Sequence, residues 1–430
     1  CLWIDPELDL FVLFLSNRVH PDGSGEVNRL AGAIGNIAVD VFGEERRRAE
    51  PGRPGAVKAG IDVLRESRFE SLRGKNVGLI TNITGRALDG ERTIDLLNAA
   101  KGVRLRALFS PEHGLNADRE WTIADGRDRA TGLPIYSLFG PTRRPTAAML
   151  RGIDTLVFDI QDAGTRYFTY MSTLLEIMRA ADKHGLAVVV LDRPNPVDGL
   201  RVRGPLQDPE VKSYVNYHRL PVLHGMTAGE LARLLNAELG LHADLQVVPL
   251  QGWKRAFSFE QTGLTWVNPS PNLRGPTAAL LYPAVGLLES TNLSVGRGTD
   301  TPFELFGAPW LDHRALAAGL AEVGLPGVTF VPVEFTPQRN PYRGTRCCGL
   351  RLIVTDRQAL QPVRTGLEIA RQILKLRSGR FVFPDLYKLL AHRQTMRALA
   401  KGRPSEQLAK LWERDLQRFL ERRQMFLLYE

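Results

Sequence analysis

The chain has 430 residues, of which 43% are hydrophobic and 24% charged, a composition typical of a soluble globular protein with two or three domains. No apolar run approaches the roughly 20 residues of a membrane-spanning helix, so we expect no integral membrane segment. The net charge is +9, but basic and acidic residues are interspersed, whereas nucleic-acid-binding proteins usually gather basic residues in a stripe with aromatic ones. We therefore expect no nucleic-acid partner, and only a mild attraction to anionic polymers.

Residues 1–42 contain two short predicted elements. The stretch 2–19 alternates apolar and polar residues around a turn-forming DPELD, which predicts a β-hairpin, and 27–42 has the apolar spacing of a helix. A hairpin and a helix are too small to form a core of their own. Residues 43–56 have the charged, proline- and glycine-rich composition of a linker.

From residue 57 onward, strand and helix patterns alternate. Apolar strand patterns occupy 76–82, 103–110, 155–162, 187–196 and 245–250, and helical patterns occupy 91–100, 170–185 and 227–240. Gly185 is a predicted helix stop, and Thr227 is a predicted N-cap with Glu230 at the capping-box position. This alternation predicts an α/β fold with a mostly parallel sheet and helices on both faces.

The last third of the chain changes character. Strand patterns at 327–335 and 348–356 precede helical patterns at 359–376 and 404–427, which predicts a smaller α+β domain. We therefore divide the chain into an N-terminal piece over 1–42, a linker over 43–56, a larger domain over 57–308 and a smaller domain over 309–430.

Three predicted strands end in dense polar clusters. These are FSPEHG at 109–114, FDIQDAGTRY at 158–167 and LDRPNP at 191–196. Ligands bind at the carboxyl ends of the strands in open α/β sheets. Acids within buried strands also need partners or a wet cleft. The three clusters together predict a polar cleft at one edge of the sheet.

The predicted cleft is rich in carboxylates. Two carboxyl groups that flank a bond, one protonated and one ionised, form the arrangement that glycosidases use. Glu112 is a candidate proton donor if the fold raises its pKa, and His113 could orient it or polarise a water. Asp159 and Asp162 are candidates for the second carboxylate. A helix N-terminal acid, favoured by the helix dipole, is the competing interpretation of Glu112.

Two other patterns argue against cofactors. The segment GRGTDTPFE at 296–304 lacks the spacing and position of a dinucleotide-binding fingerprint, and no Walker A sequence occurs. His218 and His224 lack the helical spacing of a zinc protease, so we interpret them as buried or surface histidines. We expect no cofactor and no metal.

The ordered segments resemble one protein family. The segments GLITNITG (78–85), ALFSPEHG (107–114), TGLPIYSLFG (131–140), FDIQDAGTRYFTY (158–170), VVLDRPNP (189–196) and TNLSVGRGTDTPFELFGAPW (291–310) match the exo-β-N-acetylmuramidase family in order. The resemblance runs from about residue 57 to 430. It implies a Rossmann-like catalytic domain, here 57–308, followed by the smaller domain.

The resemblance also implies an activity. Family members are secreted or periplasmic glycoside hydrolases that release N-acetylmuramic acid from the non-reducing ends of peptidoglycan fragments, so muramyl saccharides are the expected partners. The Glu-His pair of the family falls on Glu112 and His113. The segment that follows this pair departs from the family pattern, so we expect a loop of different shape.

The expected substrate carries a lactyl carboxylate, which Arg166, Arg193 or Arg297 could bind bidentately. The expected substrate-binding residues are Gln161, Arg166, Tyr167, Asp192, Arg193, Asn195, Asn292, Arg297 and Glu304. The 2-acetamido group of the sugar could act as an internal nucleophile in place of a protein carboxylate, and the sequence does not choose between them. Two other functions stay open: a catalytically inactive muramyl-sugar-binding protein, and a nucleotide-dependent enzyme on the same fold.

The N-terminal piece has a resemblance of its own. The stretch LWIDPELDLFVLFLSNRV is similar to the C-terminal end of serine β-lactamase-like hydrolases. The nucleophile-bearing S-x-x-K part of those enzymes does not occur here, so no serine-hydrolase activity is carried over. The resemblance implies a β-lactamase-like domain fused upstream and truncated in this chain.

Overall fold

The computed structural model describes residues 56–120, 123–376 and 379–430, together with the backbone of residues 2–5 and 10–13. Near the N-terminus, strand β1 (Leu2–Asp5) pairs antiparallel with strand β2 (Leu10–Leu13), so the predicted hairpin is confirmed. The helix predicted over 27–42 lies outside the described residues, as does the predicted linker up to residue 55.

A seven-stranded sheet forms the centre of the first half of the chain. The strands of this half are β3 (Asn76–Thr81), β4 (Arg104–Ser110), β5 (Gly126–Arg127), β6 (Pro134–Ser137), β7 (Thr155–Asp159), β8 (Ala187–Leu191), β9 (Arg203–Leu206), β10 (Pro221–Leu223) and β11 (Asp244–Val248). The spatial order is β11-β8-β7-β3-β4-β6-β5, with β9 and β10 paired separately. The β5–β6 pair is antiparallel and the other pairs of the sheet are parallel, which confirms the predicted mostly parallel sheet.

Helices cover both faces of this sheet. They are α1 (Gly60–Glu66), α2 (Thr93–Ala99), α3 (Tyr170–His184) and α4 (Ala228–Glu238). Successive strand side chains point to opposite faces. One face therefore packs on α1 and α2, through Val77, Leu79, Val157, Val189 and Leu191. The other face packs on α3 and α4, through Ile80, Phe109, Leu156, Phe158, Val188 and Val190.

The predicted ends of two helices are confirmed. Thr227 Oγ1 accepts from Glu230 N (3.3 Å), and Glu230 Oε2 accepts from Thr227 N (3.1 Å), which is the predicted capping box of α4. Helix α3 ends where predicted, because Gly185 adopts a left-handed conformation with φ of 63°.

The second half contains a smaller antiparallel sheet in the order β12-β14-β13. Its strands are β12 (Leu305–Ala308), β13 (Val328–Phe335) and β14 (Cys347–Val354), and the helices of this half are α5 (Pro276–Val285), α6 (His313–Val323), α7 (Pro362–Lys375), α8 (Tyr387–Leu390), α9 (Arg393–Ala400), α10 (Ser405–Leu408) and α11 (Glu413–Arg423). The division at residue 308 stays a prediction; β12, at the end of the range 57–308, pairs with β14 of the second sheet.

The two halves share one apolar core. Side chains of β14 and α7, such as Leu352 and Leu367, belong to the same core as Phe109 and Phe158 of the large sheet. Helix α7 also lies close against α5, because a Cβ atom at Gly366 would be 2.5 Å from the carbonyl oxygen of Ala284. The second half is therefore packed directly on the first.

The continuous helix predicted over 404–427 is wrong. The segment contains α10, a 3₁₀ turn at Ala409–Leu411, α11 and a second 3₁₀ turn at Gln424–Phe426. The break falls at Trp412, whose φ of −124° is not helical and whose side chain is 7% exposed in the core. Burial of this indole overrides the helical pattern around it. No helix among the described residues has the length and apolarity needed to cross a membrane.

Candidate active site

The carboxyl ends of β4, β7 and β8 lie at the same edge of the large sheet, because these strands are parallel and β3 alone separates β7 from β4. The three predicted polar clusters follow these three ends. They divide between two cavities at this edge: a cleft beyond β4, and a second cavity beyond β3, β7 and β8.

The cleft beyond β4 has a volume of about 270 Å³. Both halves of the chain contribute to it. The residues that line it are Glu112, His113, Glu120, Tyr167, Phe168, Thr169, Val215, Ser270, Asn272, Tyr282, Glu289, Ser290, Arg297, Phe303 and Leu389. Four of the predicted site residues are therefore brought together here: Glu112, His113, Tyr167 and Arg297.

Glu112 stands on a tight turn that follows β4. Pro111 precedes it, and His113 and Gly114 both adopt left-handed conformations with φ of 72° and 75°. A left-handed residue other than glycine is uncommon and typical of functional turns. The left-handed φ of Gly114 favours glycine there, and a Cβ atom would also lie 2.5 Å from Ile123 Cδ1.

A hydrogen bond fixes the half-buried carboxyl group of Glu112. Thr169 Oγ1 donates to Glu112 Oε2 at 2.5 Å, and Thr169 is the residue before α3. The next residue, Tyr170, donates its hydroxyl hydrogen to the carbonyl oxygen of Pro269, and Asn82 Nδ2 donates to that hydroxyl at 3.1 Å. Two segments that were predicted separately, FSPEHG and the end of FDIQDAGTRYFTY, thus meet at Glu112.

His113 is oriented by its own loop. Its Nδ1 lies 2.6 Å from the carbonyl oxygen of Arg119. A carbonyl oxygen only accepts, so Nδ1 carries the hydrogen and Nε2 of the neutral ring is an acceptor. His113 therefore presents a proton acceptor beside Glu112.

Aromatic rings form one wall of the cleft. Tyr282 contacts three of them, with ring centroids 5.3 Å from Tyr167, 5.8 Å from Phe168 and 4.8 Å from Phe303. The Tyr167 hydroxyl donates to the carbonyl oxygen of Tyr282 at 3.0 Å. Such a wall offers an apolar surface for the face of a sugar ring.

Arg297 supplies the positive charge of the cleft. Its Nη2 donates to Glu289 Oε1, and its Nη1 lies 3.5 Å from Glu120 Oε1. Burial alone would lower the pKa of Arg297, but the two carboxylates outweigh this effect and raise it. Arg297 Nε is buried and has no hydrogen-bond partner among the described residues.

Asp159 and Asp162 lie outside this cleft. Asp159 is fully buried and paired with Arg193, whose Nε and Nη2 are 2.6 and 3.1 Å from its oxygens, and it accepts from Thr93 Oγ1 at 2.5 Å. Asp162 accepts from Gly164 N at 2.8 Å, and burial raises its pKa to about 7. Neither side chain lines the cleft, and their predicted catalytic roles stay predictions.

The prediction that Arg166 binds substrate needs correction. Arg166 is 0% exposed, and its two Nη atoms donate to the carbonyl oxygens of Pro205, Leu220, Leu389 and Leu390 at 2.7–3.0 Å. Burial lowers its pKa to about 10. The guanidinium thus connects strand β9 and the residue before β10 to helix α8 of the second half.

Asp192 and Asn195 also serve the fold. Asp192 accepts from Thr227 Oγ1 (2.7 Å), Gly229 N (2.8 Å) and the Tyr429 hydroxyl (2.5 Å), so it caps helix α4, and burial raises its pKa to about 6. Asn195 Nδ2 donates to the carbonyl oxygen of Met226 at 3.0 Å. Neither side chain lines the cleft.

Asn292 and Glu304 lie in the second half, away from the lining of the cleft. Asn292 Nδ2 donates to the carbonyl oxygen of Arg380 at 2.7 Å, and its Oδ1 accepts from Val382 N at 2.8 Å. Glu304 Oε2 is 3.4 Å from Arg351 Nη2 of the small sheet. Their geometry is that of residues that hold loops in place.

Gln161 and Arg193 line the second cavity, which has a volume of about 350 Å³. Gln161 Nε2 donates to the carbonyl oxygens of Asp162 (2.9 Å) and Pro194 (2.8 Å). In the part of the chain that the structure describes, this cavity and the cleft share no lining residue. Of the predicted substrate-binding residues, Tyr167 and Arg297 thus line the cleft, Gln161 and Arg193 line the second cavity, and the other five line neither.

His218 and His224, which we interpreted as buried or surface histidines, lie outside the cleft. His218 Nε2 lies 2.5 Å from Glu238 Oε2. His224 is fully buried, and burial lowers its pKa to about 3. Within the described residues, no group of three or more His, Cys, Asp or Glu side chains could hold a metal ion.

The sequence interpretation missed several residues of the cleft. They are Glu120, Phe168, Thr169, Asn272, Tyr282, Glu289 and Phe303. Phe168 and Thr169 directly follow the predicted residue Tyr167. Glu289 and Phe303 lie within eight residues of Arg297 in the chain. Closeness in sequence to a predicted residue could therefore have identified these four. Glu120 carried no such signal, because its loop departs from the family pattern.

Comparison with known proteins identifies relatives over most of the chain. The family described as exo-beta-N-acetylmuramidase NamZ matches in two parts, its N-terminal part at residues 77–277 and its C-terminal part at 280–429. The peptidoglycan beta-N-acetylmuramidase NamZ of Bacillus subtilis (strain 168) is 42% identical over 378 residues, which are 87% of this chain and 91% of that protein.

Two solved structures share the fold. Both are DUF1343 family proteins from Bacteroides fragilis NCTC 9343. One is 36% identical, with a TM-score of 0.81 over 88% of this chain and 100% of that one. The other is 29% identical, with a TM-score of 0.72 over 87% of this chain and 99% of that one.

Proposed function

The chain belongs to the exo-beta-N-acetylmuramidase NamZ family, and on that basis we propose that it is an exo-acting glycoside hydrolase. The proposed reaction releases N-acetylmuramic acid from the non-reducing ends of peptidoglycan fragments. The observation that carries the proposal is the high identity to a peptidoglycan beta-N-acetylmuramidase over nearly its whole length. The cleft supports it, because Glu112 and His113 line the same cleft as four aromatic rings.

We assign the role of general acid to Glu112. Its Oε2 accepts the Thr169 hydrogen bond, whereas Oε1 accepts none from the described residues. A proton on Oε1 can therefore pass to the glycosidic oxygen while the bond from that oxygen to C1 of the sugar breaks. Glu112 is then ionised, and it takes a proton from the water that attacks in the second step.

The arrangement of carboxylates favours the sugar's own acetamido group as nucleophile. Glu120 and Glu289 line the cleft, but both are ion-paired with Arg297, and Asp159 and Asp162 lie outside it. We propose that the acetamido carbonyl oxygen attacks C1 and forms a cyclic oxazolinium ion. Water then attacks C1 from the face that the leaving group left, which is opposite the acetamido oxygen. The anomeric configuration is therefore retained.

Arg297 is the proposed ligand of the lactyl carboxylate. Of the three arginines predicted to bind this group, Arg297 lines the cleft, whereas Arg166 and Arg193 do not. Its side chain is 25% exposed, so the guanidinium can contact a substrate carboxylate. This contact would select muramyl sugars over sugars without the lactyl group.

The function is tested with the full chain and the disaccharide N-acetylmuramyl-β-1,4-N-acetylglucosamine, followed by proton NMR. We expect free N-acetylmuramic acid, with the β anomer appearing before mutarotation. The reversed disaccharide, with glucosamine at the non-reducing end, should stay intact. Binding without release would instead indicate an inactive muramyl-sugar-binding protein, and an α anomer as first product would overturn the acetamido mechanism.

The cell wall substrate leads us to propose a secreted or periplasmic location, where the net charge of +9 favours contact with an anionic polymer. Fractionation of cells that produce the protein tests this. A β-lactamase-like origin of residues 1–42 stays a separate prediction, since the family match begins at residue 77.

A further inference from the structure

Glu120 is a nearly buried acid on the loop that carries Glu112 and His113. Its side chain is 14% exposed. It lines the cleft and also an adjoining cavity of about 280 Å³, formed with Arg339 and Arg343 of the loop between β13 and β14. A carboxylate so placed needs compensating partners.

Three partners meet at this one carboxylate. Asn272 Nδ2 donates to Oε1 at 2.6 Å, Arg297 Nη1 lies 3.5 Å from Oε1, and Arg339 Nε lies 3.5 Å from Oε2. The partners come from three separate segments of the chain, and Arg339 lies in the loop between β13 and β14 of the small sheet. Glu120 thus attaches the loop of Glu112 to the second half of the molecule.

Through these contacts, Glu120 affects the positions of both Arg297 and His113. Arg297 is held by Glu120 at Nη1 and by Glu289 at Nη2, so the guanidinium is fixed from two sides. The carbonyl oxygen that orients His113 belongs to Arg119, the residue directly before Glu120. A shift of Glu120 therefore moves the hydrogen-bond acceptor of His113.

We propose that Glu120 is a positioning residue, which holds the loop of Glu112 and His113 and orients Arg297 without contact with the reacting atoms. The inference rests on the proposed muramidase function.

The test compares Glu120→Gln with Glu289→Gln. Both variants remove one carboxylate from Arg297, but Glu289 is not on the loop of Glu112, so it is the matched control. We expect both to raise KM. Glu120→Gln alone should also lower kcat, by roughly 10- to 100-fold, since small misplacements of reacting groups have effects of this size.

Hydrogen exchange gives a second readout that does not depend on activity. Backbone amides of residues 113–119 should exchange several-fold faster in Glu120→Gln, and at the wild-type rate in Glu289→Gln. If Glu120→Gln fails to fold, Glu120→Asp, which keeps the charge, replaces it and should show a smaller change in the same direction. Equal kcat and equal loop exchange in the two glutamine variants would overturn the proposal.

The two proposals fail in different ways. If the wild-type chain releases no N-acetylmuramic acid, the proposed function is wrong. The exchange comparison then still decides whether Glu120 holds the loop.

Discussion

Glu112 and Asp162 both follow parallel strands at the same edge of the sheet, yet their surroundings differ. Glu112 faces a cleft and receives a hydroxyl hydrogen bond. Asp162 is buried, its Oδ1 has no hydrogen-bond partner among the described residues, and the nearest histidine nitrogen, on His224, lies 3.8 Å from Oδ2. Burial raises the pKa of Asp162 to about 7, so the fold keeps this acid protonated at lower pH.

The raised pKa of Asp162 predicts a pH dependence of stability. Its pKa is about 7 in the folded protein against an ordinary value of 3.8. Between these values the folded state binds more protons than the unfolded state, so the stabilising effect of the neutral acid is lost as pH rises through 7. Asp192, whose pKa is about 6, acts in the same direction.

Asp162→Asn removes the ionisation while keeping the shape of the side chain. At pH 8 we expect the variant to be more stable than the wild type by roughly 1–3 kcal/mol, the usual cost of burying an unsatisfied polar group. This advantage should shrink as the pH falls toward 4. Urea unfolding at several pH values measures it, with the exposed Asp300→Asn as control. A variant less stable than wild type at pH 8 would contradict the assignment.

At the scale of elements, Arg166 connects segments that are far apart in the chain. Its guanidinium reaches strand β9, the loop before β10 and helix α8. Five planar donors suit this set of carbonyl oxygens, whereas the ammonium of lysine does not reach all four.

Arg166→Lys should therefore destabilise the protein by roughly 3 kcal/mol or more, because several charge-assisted hydrogen bonds are lost. Where the variant is folded, its KM for muramyl substrates should stay that of the wild type. Denaturant unfolding and steady-state kinetics measure the two effects, with the exposed Arg203→Lys as control. A raised KM without loss of stability would restore Arg166 as a substrate ligand.

The helices and strands were predictable from apolar runs, whereas the hydrogen-bond partners of the acids were not predictable. Strands such as 104–110 and the capping box of Thr227 were predicted within a residue or two, because apolar periodicity and capping are local. Asp192 could not be placed, since the helix N-terminus that it caps begins 35 residues later in the chain. The helix break at Trp412 likewise depends on a distant core.

At the scale of the whole molecule, the cleft exists because the two halves pack on one core. Glu112 and Thr169 come from the first half, and Tyr282, Glu289 and Arg297 come from the chain beyond it. The sequence predicted the Glu112–His113 side of the cleft from strand ends and family resemblance. The opposite side depends on how α5 and the small sheet pack, which no local pattern encodes.

The most direct test of the central claim, that Glu112 is the proton donor of a muramidase, is Glu112→Gln assayed on two leaving groups. With the natural disaccharide, whose leaving sugar needs a proton, we predict a loss of roughly 10²- to 10⁴-fold in kcat/KM. With a dinitrophenyl muramide, whose leaving group departs without protonation, the loss should be far smaller. Equal losses on both substrates, or no loss on either, would contradict the assignment of Glu112.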